Sequence, residues 1–336
     1  MSQRFLIIRL SSMGDIILTT PILRALREKY PQAAIHYLTR SAYAELLQHN
    51  PHLTALHVWP PSAELRATLW DGVIDLQKNL RTWRLRFHLR YKHWTTFPKK
   101  NFRKWLSVQL KRPLPVAHVV QRYGEALRPW GIEVEALGPL EVYVPAEVRA
   151  RIRVELDKIH PGPWLAFGLG GTYATKKWPT LYKLYLINKL GWPVILLGGN
   201  PEAEEANFLQ TKAEVPVVVG AGRYSLLETA AAIAESALVL SHDTGTAHLG
   251  AAFQRPTVVL WGNTVPAFGM TPWQTPHLSL EVPGLSCRPC SKLGFAGCPQ
   301  GHHNCMRALT PDYVLYQTRA FWAQLGGDVP SEGMDE

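Results

Sequence analysis

Apolar residues along the chain fall into short runs separated by amphipathic or polar stretches. The first run, Phe5–Leu10, is followed by a turn at Ser11–Gly14 and then by apolar residues at near-helical spacing from Ile16 to Leu26. This order predicts a buried strand, a loop and a helix. Further β-type runs occur at Ala34–Leu38, Ala55–Val58 and Val73–Leu76. The first half of the chain therefore alternates predicted strands with helices or loops.

The same alternation restarts after a cluster of chain-breaking residues at His160–Pro163. Predicted strands then occupy Trp164–Gly168, Pro193–Leu197, Val215–Val219, Ala237–Ser241 and Thr257–Leu260. Predicted helices lie between them at Thr180–Leu190, Glu202–Ala213, Ser225–Ala234 and from Ala247 onward. Strict alternation of strands and helices is typical of parallel sheets, so we expect two α/β domains in tandem.

We place the domain boundary so that the domains comprise residues 1–158 and 159–310. A terminal helix is predicted at residues 311–325, where Tyr313, Tyr316 and Trp322 suggest packing on a neighbouring element. We expect this helix to pack back across the interface between the domains.

The charge of the chain is distributed unevenly between its two halves. Residues 1–150 contain 22 Lys and Arg against 11 Asp and Glu, whereas the remainder contains 14 against 15. No acidic residue occurs between Asp75 and Glu125, and twelve basic residues lie from Lys78 to Arg112. We therefore expect the first half to face an anionic partner.

The basic segment 78–112 is also rich in aromatic residues. They are Trp83, Phe87, Tyr91, Trp94, Phe97, Phe102 and Trp105. Basic and aromatic residues together are typical of proteins that bind single-stranded nucleic acid. The same composition suits an anionic membrane surface or a phosphorylated lipid headgroup, and a solvated pair of basic helices is the simplest alternative.

The sequence contains no candidate for a membrane-spanning or secretory segment. No apolar run approaches the roughly 18 residues that a transmembrane helix requires. The run Phe5–Leu10 is interrupted by Arg9 and soon followed by Asp15, unlike a signal peptide. We therefore expect a cytoplasmic protein.

All four cysteines lie in one short segment, which predicts a local function for them. Cys287 and Cys290 have the two-residue spacing of a zinc knuckle, whereas Cys298 and Cys305 are spaced more widely. Four thiolates at these positions can close a tetrahedral structural zinc site. Reduced thiols and labile disulfides are the alternatives.

The loop after the first predicted strand carries the first candidate for chemistry. It would lie at the carboxyl end of the strand, where open α/β sheets bind ligands. Gly14 permits close approach of the backbone, and Asp15 is either a general base for an incoming hydroxyl or a helix cap. The motif G-x-G-x-x-G is missing from this loop, which disfavours a dinucleotide site.

A second candidate loop, Ser241–His248, joins a strand to a helix in the second half. Its small residues leave backbone N–H groups bare at Thr244, Gly245 and Thr246. Such a helix end attracts phosphate through hydrogen bonds and the helix dipole, and His248 lies on the same helical face as Thr244. A plain strand-to-helix turn capped by Asp243 is the alternative.

A third loop, Gly168–Thr172, is rich in glycine and is followed by Lys176 and Lys177. A lysine at this distance can bring positive charge to a diphosphate, although the pattern is not that of a Walker A motif. A surface loop with two solvated lysines is the alternative.

Together these motifs resemble the ADP-heptose:lipopolysaccharide heptosyltransferase family. The residues that carry the resemblance are Ser12-x-Gly14-Asp15 with Pro21, Lys176-x-Trp178-Pro179, Ser241-His242-Asp243-Thr244-Gly245-x-x-His248 with Arg255-Pro256, and Cys287-Arg288-Pro289-Cys290 with Cys298-Pro299-x-Gly301-His302-His303-x-Cys305. The matches run in order from residue 6 to about residue 311. The cysteine segment is most similar to members that add the second heptose.

The resemblance implies a GT-B fold, in which two Rossmann-like domains face each other across a central cleft. The acceptor would bind to the first domain and the nucleotide-sugar donor to the second. Asp15 matches the catalytic base, and the donor-binding residues are matched by Lys176, Asp243, Thr244, Gly245, His248 and Glu204. To the donor site we add Thr172 and Thr246. Our candidates for acceptor binding are Ser12, Gly14, Lys78, Arg81 and Arg84.

The implied activity is inverting transfer of heptose from ADP-L-glycero-D-manno-heptose to the inner core of lipopolysaccharide. No cofactor is expected, because N–H groups and a lysine can stabilise the departing ADP. Expected partners are ADP-heptose, an anionic glycolipid acceptor and the inner face of the inner membrane as a peripheral contact, but no nucleic acid. The alternatives are a basic nucleic-acid-binding α/β protein and a nucleotide-sugar epimerase or oxidoreductase.

Overall fold

The first half of the chain forms a five-stranded parallel sheet. A computed structural model describes residues 3–327. The strands are β1 (Arg4–Ile8), β2 (Ala34–Thr39), β3 (Ala55–Val58), β4 (Leu69–Asp75) and β5 (Arg90–Thr96). Their order in the sheet is β3-β2-β1-β4-β5, and every neighbouring pair is parallel.

The second half forms a six-stranded parallel sheet of the same winding. Its strands are β6 (Leu165–Gly168), β7 (Val194–Leu197), β8 (Val217–Val219), β9 (Leu238–His242), β10 (Thr257–Trp261) and β11 (His277–Glu281). Their order is β11-β10-β9-β6-β7-β8. In each sheet the strand order reverses beside the first strand, so crevices for ligands are expected between β1 and β4 and between β6 and β9.

Helices connect the strands and cover both sheets. They are α1 (Met13–Ile17), α2 (Thr20–Lys29), α3 (Ser41–Ala44), α4 (Ala63–Ala67), α5 (Leu80–Arg84), α6 (Asn101–Gln109), α7 (Val119–Gly124), α8 (Ala146–Asp157), α9 (Thr180–Leu190), α10 (Ala203–Lys212), α11 (Leu226–Glu235), α12 (Gly245–Ala252), α13 (Asn304–Arg307) and α14 (Pro311–Gln324). Within residues 3–327 no helix combines the length and the apolar character needed to cross a bilayer.

The central strands are buried along nearly their whole length. All residues of β6, β7, β9 and β10 are buried, as are four of the five residues of β1. A parallel strand covered by helices on both faces is expected to be a continuous apolar run, which is why the sequence predicts these strands. The two parallel α/β units confirm the predicted fold class.

Two elements differ from the predicted connections. The helix predicted from Asp15 onward is divided into α1 and α2, and Pro21 lies in the first turn of α2, where its missing N–H costs no hydrogen bond. The predicted boundary at residue 158 places α8 in the first domain. In the structure α8 packs against α11 of the second unit, with ion pairs from Arg149 to Glu235 and from Arg151 to Glu228. The chain therefore enters the second unit before residue 158.

The terminal helix α14 packs within the second unit rather than across the interface. It contacts α9 and β11, and its residues Val314 and Leu315 are buried in the same apolar cluster as Trp178. The Tyr185 hydroxyl of α9 donates a hydrogen bond to Asp312. The apolar face of α14 is thus covered by its own unit, in contrast to the packing that we expected from its aromatic residues.

Candidate active site

The amino-terminal ends of α1 and α12 meet directly across the cleft between the two sheets. A Cβ atom on Gly14 would lie 2.7 Å from His248 Cδ2 and 3.2 Å from the Cα of Gly245. A Cβ on Gly245 would lie 3.1 Å from the Gly14 nitrogen and would collide with Met13. Glycine is therefore required on both sides of this contact, and the loops after β1 and β9 share one crevice.

Asp15 is held at this crevice through one of its two carboxylate oxygens. Arg9 Nη2 lies 2.7 Å from Oδ2, and Ser12 donates to the same oxygen from its backbone N–H (3.2 Å) and its hydroxyl (2.9 Å). Within the described part of the chain, Oδ1 has no hydrogen-bond partner, and the side chain is 23 % exposed. Asp15 thus caps α1 with one oxygen and leaves the other one open.

The surroundings of Asp15 keep its carboxylate ionised. Burial raises its pKa, but the positive charge of Arg9 and the hydrogen bonds from Ser12 outweigh that effect, so the pKa lies below its ordinary value. Arg9 is itself fixed, since Nε donates to the Ser11 carbonyl (2.7 Å) and Nη1 to the Leu76 carbonyl (2.5 Å). The sequence does not reveal this role of Arg9, which there only interrupts the first apolar run.

The first turn of α12 presents free donors toward the same crevice. Thr244 is the N-cap residue, and its N–H donates to the His242 carbonyl (2.7 Å). The N–H groups of the residues that follow, Gly245 and Thr246, have no intrahelical acceptor because a helix begins without one. The Thr246 side chain contacts Gly168 at the end of β6, where a Cβ would lie 3.0 Å from Thr246 Oγ1.

Lys176 joins the glycine loop to the α12 turn. Its Nζ donates to the Asp243 carboxylate (2.6 Å) and to the Asp243 carbonyl (2.9 Å), and the Thr264 hydroxyl donates to the same carboxylate (2.8 Å). Burial raises the pKa of Asp243, but Lys176 and Thr264 bring it below its ordinary value. Gly171 lies against both Lys176 and Thr244. The structure therefore brings together the two loops that the sequence predicted separately.

Thr172, by contrast, is exposed and makes no side-chain hydrogen bond within residues 3–327. His248 is buried on α12, and burial lowers its pKa to about 4, so its imidazole is neutral at pH 7. The charges of Asp243 and Asp15 both act on His248, and its ring lies against Gly14 of the first unit.

The acidic residue near the glycine loop is Glu202 rather than the predicted Glu204. Glu204 is exposed in the first turn of α10. Glu202 is buried just beyond β7, where Oε2 accepts the Gly199 N–H (3.0 Å) and Oε1 pairs with Lys177 (2.8 Å). A Cβ on Gly170 would lie 3.1 Å from Glu202 Oε2. The two acids are two residues apart, so the helical turn directs one inward and the other to solvent.

The predicted acceptor-side cations lie beyond the carboxyl end of β4. Lys78 Nζ donates to the Phe97 carbonyl (2.9 Å), and this bond ties the loop after β4 to the loop after β5. Arg81 and Arg84 are exposed on α5. These three residues lie on the same edge of the sheet as Asp15, but the structure records no contact between them and Asp15.

Three other cations surround the crevice more closely: Lys99, Lys104 and Arg122. Lys104 Nζ lies 5.4 Å from the centre of the Phe268 ring, across the cleft on the second unit. Burial and the neighbouring charge of Arg122 lower the pKa of Lys104 to about 8, while Asp15 and Asp243 oppose that shift. Arg122 donates to the Lys99 carbonyl (3.1 Å). Lys99 and Lys104 belong to the basic segment, but nothing in the sequence singled out Arg122.

The cysteines do not assemble the predicted zinc site. Within residues 3–327, no group of three or more His, Cys, Asp or Glu side chains is arranged to hold a metal ion. Cys305 is buried in the apolar core of the second unit, and burial raises the pKa of its thiol to about 11. Cys287, Cys290 and Cys298 are half-buried in the loops after β11, and all four thiols are free.

Comparison with known proteins identifies the family and the fold. The family described as "Glycosyltransferase family 9 (heptosyltransferase)" matches residues 62–294. The chain is 28 % identical to lipopolysaccharide heptosyltransferase 1 of Pseudomonas aeruginosa over 86 % of each chain. It superposes on a family 9 glycosyltransferase of Veillonella parvula with a TM-score of 0.78 at 20 % identity, covering 96 % of this chain and 98 % of the other. It also superposes on the "ADP-heptose lps heptosyltransferase II" of Escherichia coli with a TM-score of 0.76 at 20 % identity, covering 97 % of this chain and 100 % of the other.

Proposed function

Since this chain belongs to glycosyltransferase family 9, the heptosyltransferase family, and has the GT-B fold, we propose that it transfers heptose from ADP-L-glycero-D-manno-heptose to the inner core of lipopolysaccharide. One observation carries this proposal. The carboxylate of Asp15 and the amino-terminal turn of α12 open into the same crevice, where Gly14 and Gly245 are in contact. A carboxylate and an anion-binding helix end therefore lie on opposite sides of one crevice.

The second unit supplies the donor site in this proposal. The N–H groups of Gly245 and Thr246 bind the diphosphate, aided by the dipole of α12. Lys176, which is paired with Asp243, lies near Thr244 at the start of this turn, and in the proposal its ammonium and the Thr244 and Thr246 hydroxyls are further donors. Positive charge for the departing diphosphate thus comes from the protein itself.

The strand order of the second sheet supports a position for the nucleoside. In doubly wound sheets, an acid at the end of the strand next to the first strand binds the ribose hydroxyls. Glu202 occupies that position beyond β7 and lies beside the glycine loop at Gly170. We therefore assign ribose binding to Glu202 in place of Glu204.

The reaction is a single displacement at the anomeric carbon of the heptose. The acceptor hydroxyl oxygen forms the new bond to this carbon, the bond to the ADP oxygen breaks, and Oδ1 of Asp15 takes the hydroxyl proton. Arg9 and Ser12 hold Oδ2 and so keep Oδ1 in place. Because attack and departure occur on opposite sides of the carbon, the configuration inverts.

The first unit supplies the acceptor site. Lys104 and Arg122 place positive charge next to Asp15, as binding of acidic sugars and phosphates in the acceptor requires. The exposed cations of α5 extend this charge away from the crevice. The acceptor is a glycolipid, so we propose a peripheral location at the cytoplasmic face of the inner membrane.

Two measurements test the proposed donor and acceptor. Calorimetric titration with ADP, UDP and GDP should show a clear preference for ADP. Incubation with ADP-heptose and inner-core acceptors that carry either no heptose or one heptose should release ADP in step with glycosylation of one of them. Equal affinity for the three nucleotides, or no transfer to either acceptor, would contradict the proposal.

A further inference from the structure

A surface of unusual composition lies on the first unit, on the helices that follow β4 and β5. Its apolar members are exposed and come from α5 with the turn that follows it and from α6 with its carboxyl end: Leu80, Trp83, Phe87, Phe102, Trp105 and Leu110. Its basic members are equally exposed: Arg81, Arg84, Arg86, Lys100, Arg103, Lys111 and Arg112. We call these thirteen residues the basic–apolar surface.

The residues from α5 and those from α6 form one surface because the sheet places the two helices next to each other. β4 and β5 are neighbouring parallel strands, and α5 and α6 each begin just beyond the carboxyl end of one of them. The bond from Lys78 Nζ to the Phe97 carbonyl links the two loops at that edge. Adjacent strands lie roughly 5 Å apart, so the two helices begin side by side.

Each half repeats one pattern of apolar and basic positions. Leu80, Trp83 and Phe87 are spaced three and four residues apart, and Phe102 and Trp105 are three apart, so each set forms one stripe on a helical face. Trp83 packs on Phe87 with ring centres 5.1 Å apart, and Phe102 stacks on Trp105 at 5.8 Å. Phe87 and Phe102 nevertheless remain 71 % and 73 % exposed.

The cations of this surface lack acidic partners. Within the described residues none of the seven forms an ion pair, and no acidic residue lies between Asp75 and Glu125 to provide one. Other exposed arginines do have such partners, since Arg149 and Arg151 pair with Glu235 and Glu228. Unpaired charge beside exposed apolar stripes is the pattern of elements that lie at an anionic lipid interface.

The apolar side chains favour lipid over nucleic acid as the partner. Leu80 and Leu110 are 64 % and 57 % exposed, and an aliphatic side chain has no ring face on which a base could stack. Tryptophan and phenylalanine flanked by cations suit the headgroup region of a bilayer.

We infer that the basic–apolar surface docks this enzyme onto an anionic membrane, with the Trp83–Phe87 and Phe102–Trp105 pairs inserted among the headgroups. The inference rests on the proposed lipid-linked acceptor, and it adds which face of the molecule meets the lipid. Lys104 lies on α6 between Phe102 and Trp105 and points across the cleft to Phe268. Docking through α6 therefore brings the crevice beside the lipid surface, where a membrane-anchored acceptor would enter.

Co-sedimentation of the full chain with vesicles tests this surface. We expect binding to vesicles that contain phosphatidylglycerol, weaker binding to pure phosphatidylcholine, and loss of binding as salt is raised. Phe102→Ser/Trp105→Ser and Trp83→Ser/Phe87→Ser should each weaken binding about tenfold or more. Leu181→Ser/Tyr316→Ser is the matched control, because both residues are 68 % exposed on the second unit, and it should bind like the wild type.

Activity on a water-soluble, lipid-free acceptor separates this inference from the proposed function. Both aromatic double variants should retain wild-type turnover on that acceptor, which also shows that they are folded. Equal vesicle binding by the wild type and both aromatic variants would overturn the inference. The inference would also be overturned if the wild type failed to bind anionic vesicles but bound a single-stranded oligonucleotide through these aromatic residues. Failure of the wild type to transfer heptose to the soluble acceptor would instead contradict the proposed function.

Discussion

Replacing Gly14 by alanine tests the contact that brings the two halves of the site together. The added Cβ would lie 2.7 Å from His248 Cδ2 and 3.2 Å from the Cα of Gly245. Ordinary van der Waals contacts begin near 3.4 Å. The first turns of α1 and α12 must therefore separate by about 0.7 Å or more, because neither the buried His248 ring nor the Gly245 backbone can fold away.

The expected effect on catalysis is much larger than the effect on folding. Misplacement of reacting groups by about 1 Å costs on the order of 100-fold in rate, so kcat of Gly14→Ala should fall about 10- to 100-fold. Overpacking costs roughly 1–3 kcal/mol, and alanine in a helix recovers about 1 kcal/mol relative to glycine. The free energy of unfolding should therefore fall by no more than about 2 kcal/mol.

Steady-state kinetics and urea denaturation measure the two effects separately. Gly297→Ala is the matched control, because nothing lies within 4 Å of a Cβ at that exposed position. It should leave both kcat and stability at the wild-type values. A Gly14→Ala enzyme with wild-type kcat would show that the contact between α1 and α12 does not position the reacting groups.

Three further predictions follow from the charges around the site. Glu202→Gln should weaken ADP binding about tenfold through loss of a charged hydrogen bond to the ribose, whereas Glu204→Gln should leave the calorimetric Kd unchanged. The pKa of Lys104 is about 8, so the KM for the anionic acceptor should rise as the pH passes 8, and Lys104→Arg should remove that rise from the KM–pH profile. Ser12→Ala deletes a hydrogen bond to the Asp15 carboxylate and therefore raises the pKa of Asp15. The acidic limb of the kcat–pH profile should then shift to higher pH, and an unshifted limb would contradict the role of Asp15.

The strands that are covered on both faces were predictable from the sequence, whereas two of the four edge strands, β5 and β11, were not. β1, β6, β9 and β10 are continuous apolar runs because helices cover both of their faces. β5 lies at a sheet edge and has the sequence Arg-Tyr-Lys-His-Trp-Thr-Thr, so its composition indicated only a basic aromatic segment. β11 lies at one edge of the second sheet, and only one of its five residues, Leu280, is buried, so it does not form an apolar run.

The site was predictable where chemistry follows directly from a strand end. Asp15 and the loop 241–248 both follow buried strands, and their positions at the carboxyl edges made them candidates. The roles of Arg9 and Arg122 could not be predicted from the sequence. They depend on contacts that form only in the fold, from Arg9 to Asp15 and from Arg122 to the Lys99 carbonyl. Glu204 was implied by the resemblance, but Glu202 is the buried acid; residues two apart point in nearly opposite directions, so the choice between them depends on where α10 begins.

The cysteine segment shows the limit of spacing arguments. A two-residue spacing at Cys287 and Cys290 is compatible with zinc, but a ligand set also requires that the other two thiols converge on the same point. Cys305 is instead buried beside Met306 in the core of the second unit. Spacing alone therefore could not predict whether the four side chains adopt the geometry of a metal site, and within residues 3–327 they do not.

The most direct measurement of the central claim compares turnover and nucleotide affinity in Asp15→Asn. The amide keeps the shape of the side chain but cannot take the proton of the acceptor hydroxyl. Our account predicts that kcat falls about 100- to 10,000-fold while the calorimetric Kd for ADP stays at the wild-type value. Transfer of heptose at near wild-type rate by Asp15→Asn would contradict the assignment of this carboxylate as the base that faces the α12 turn.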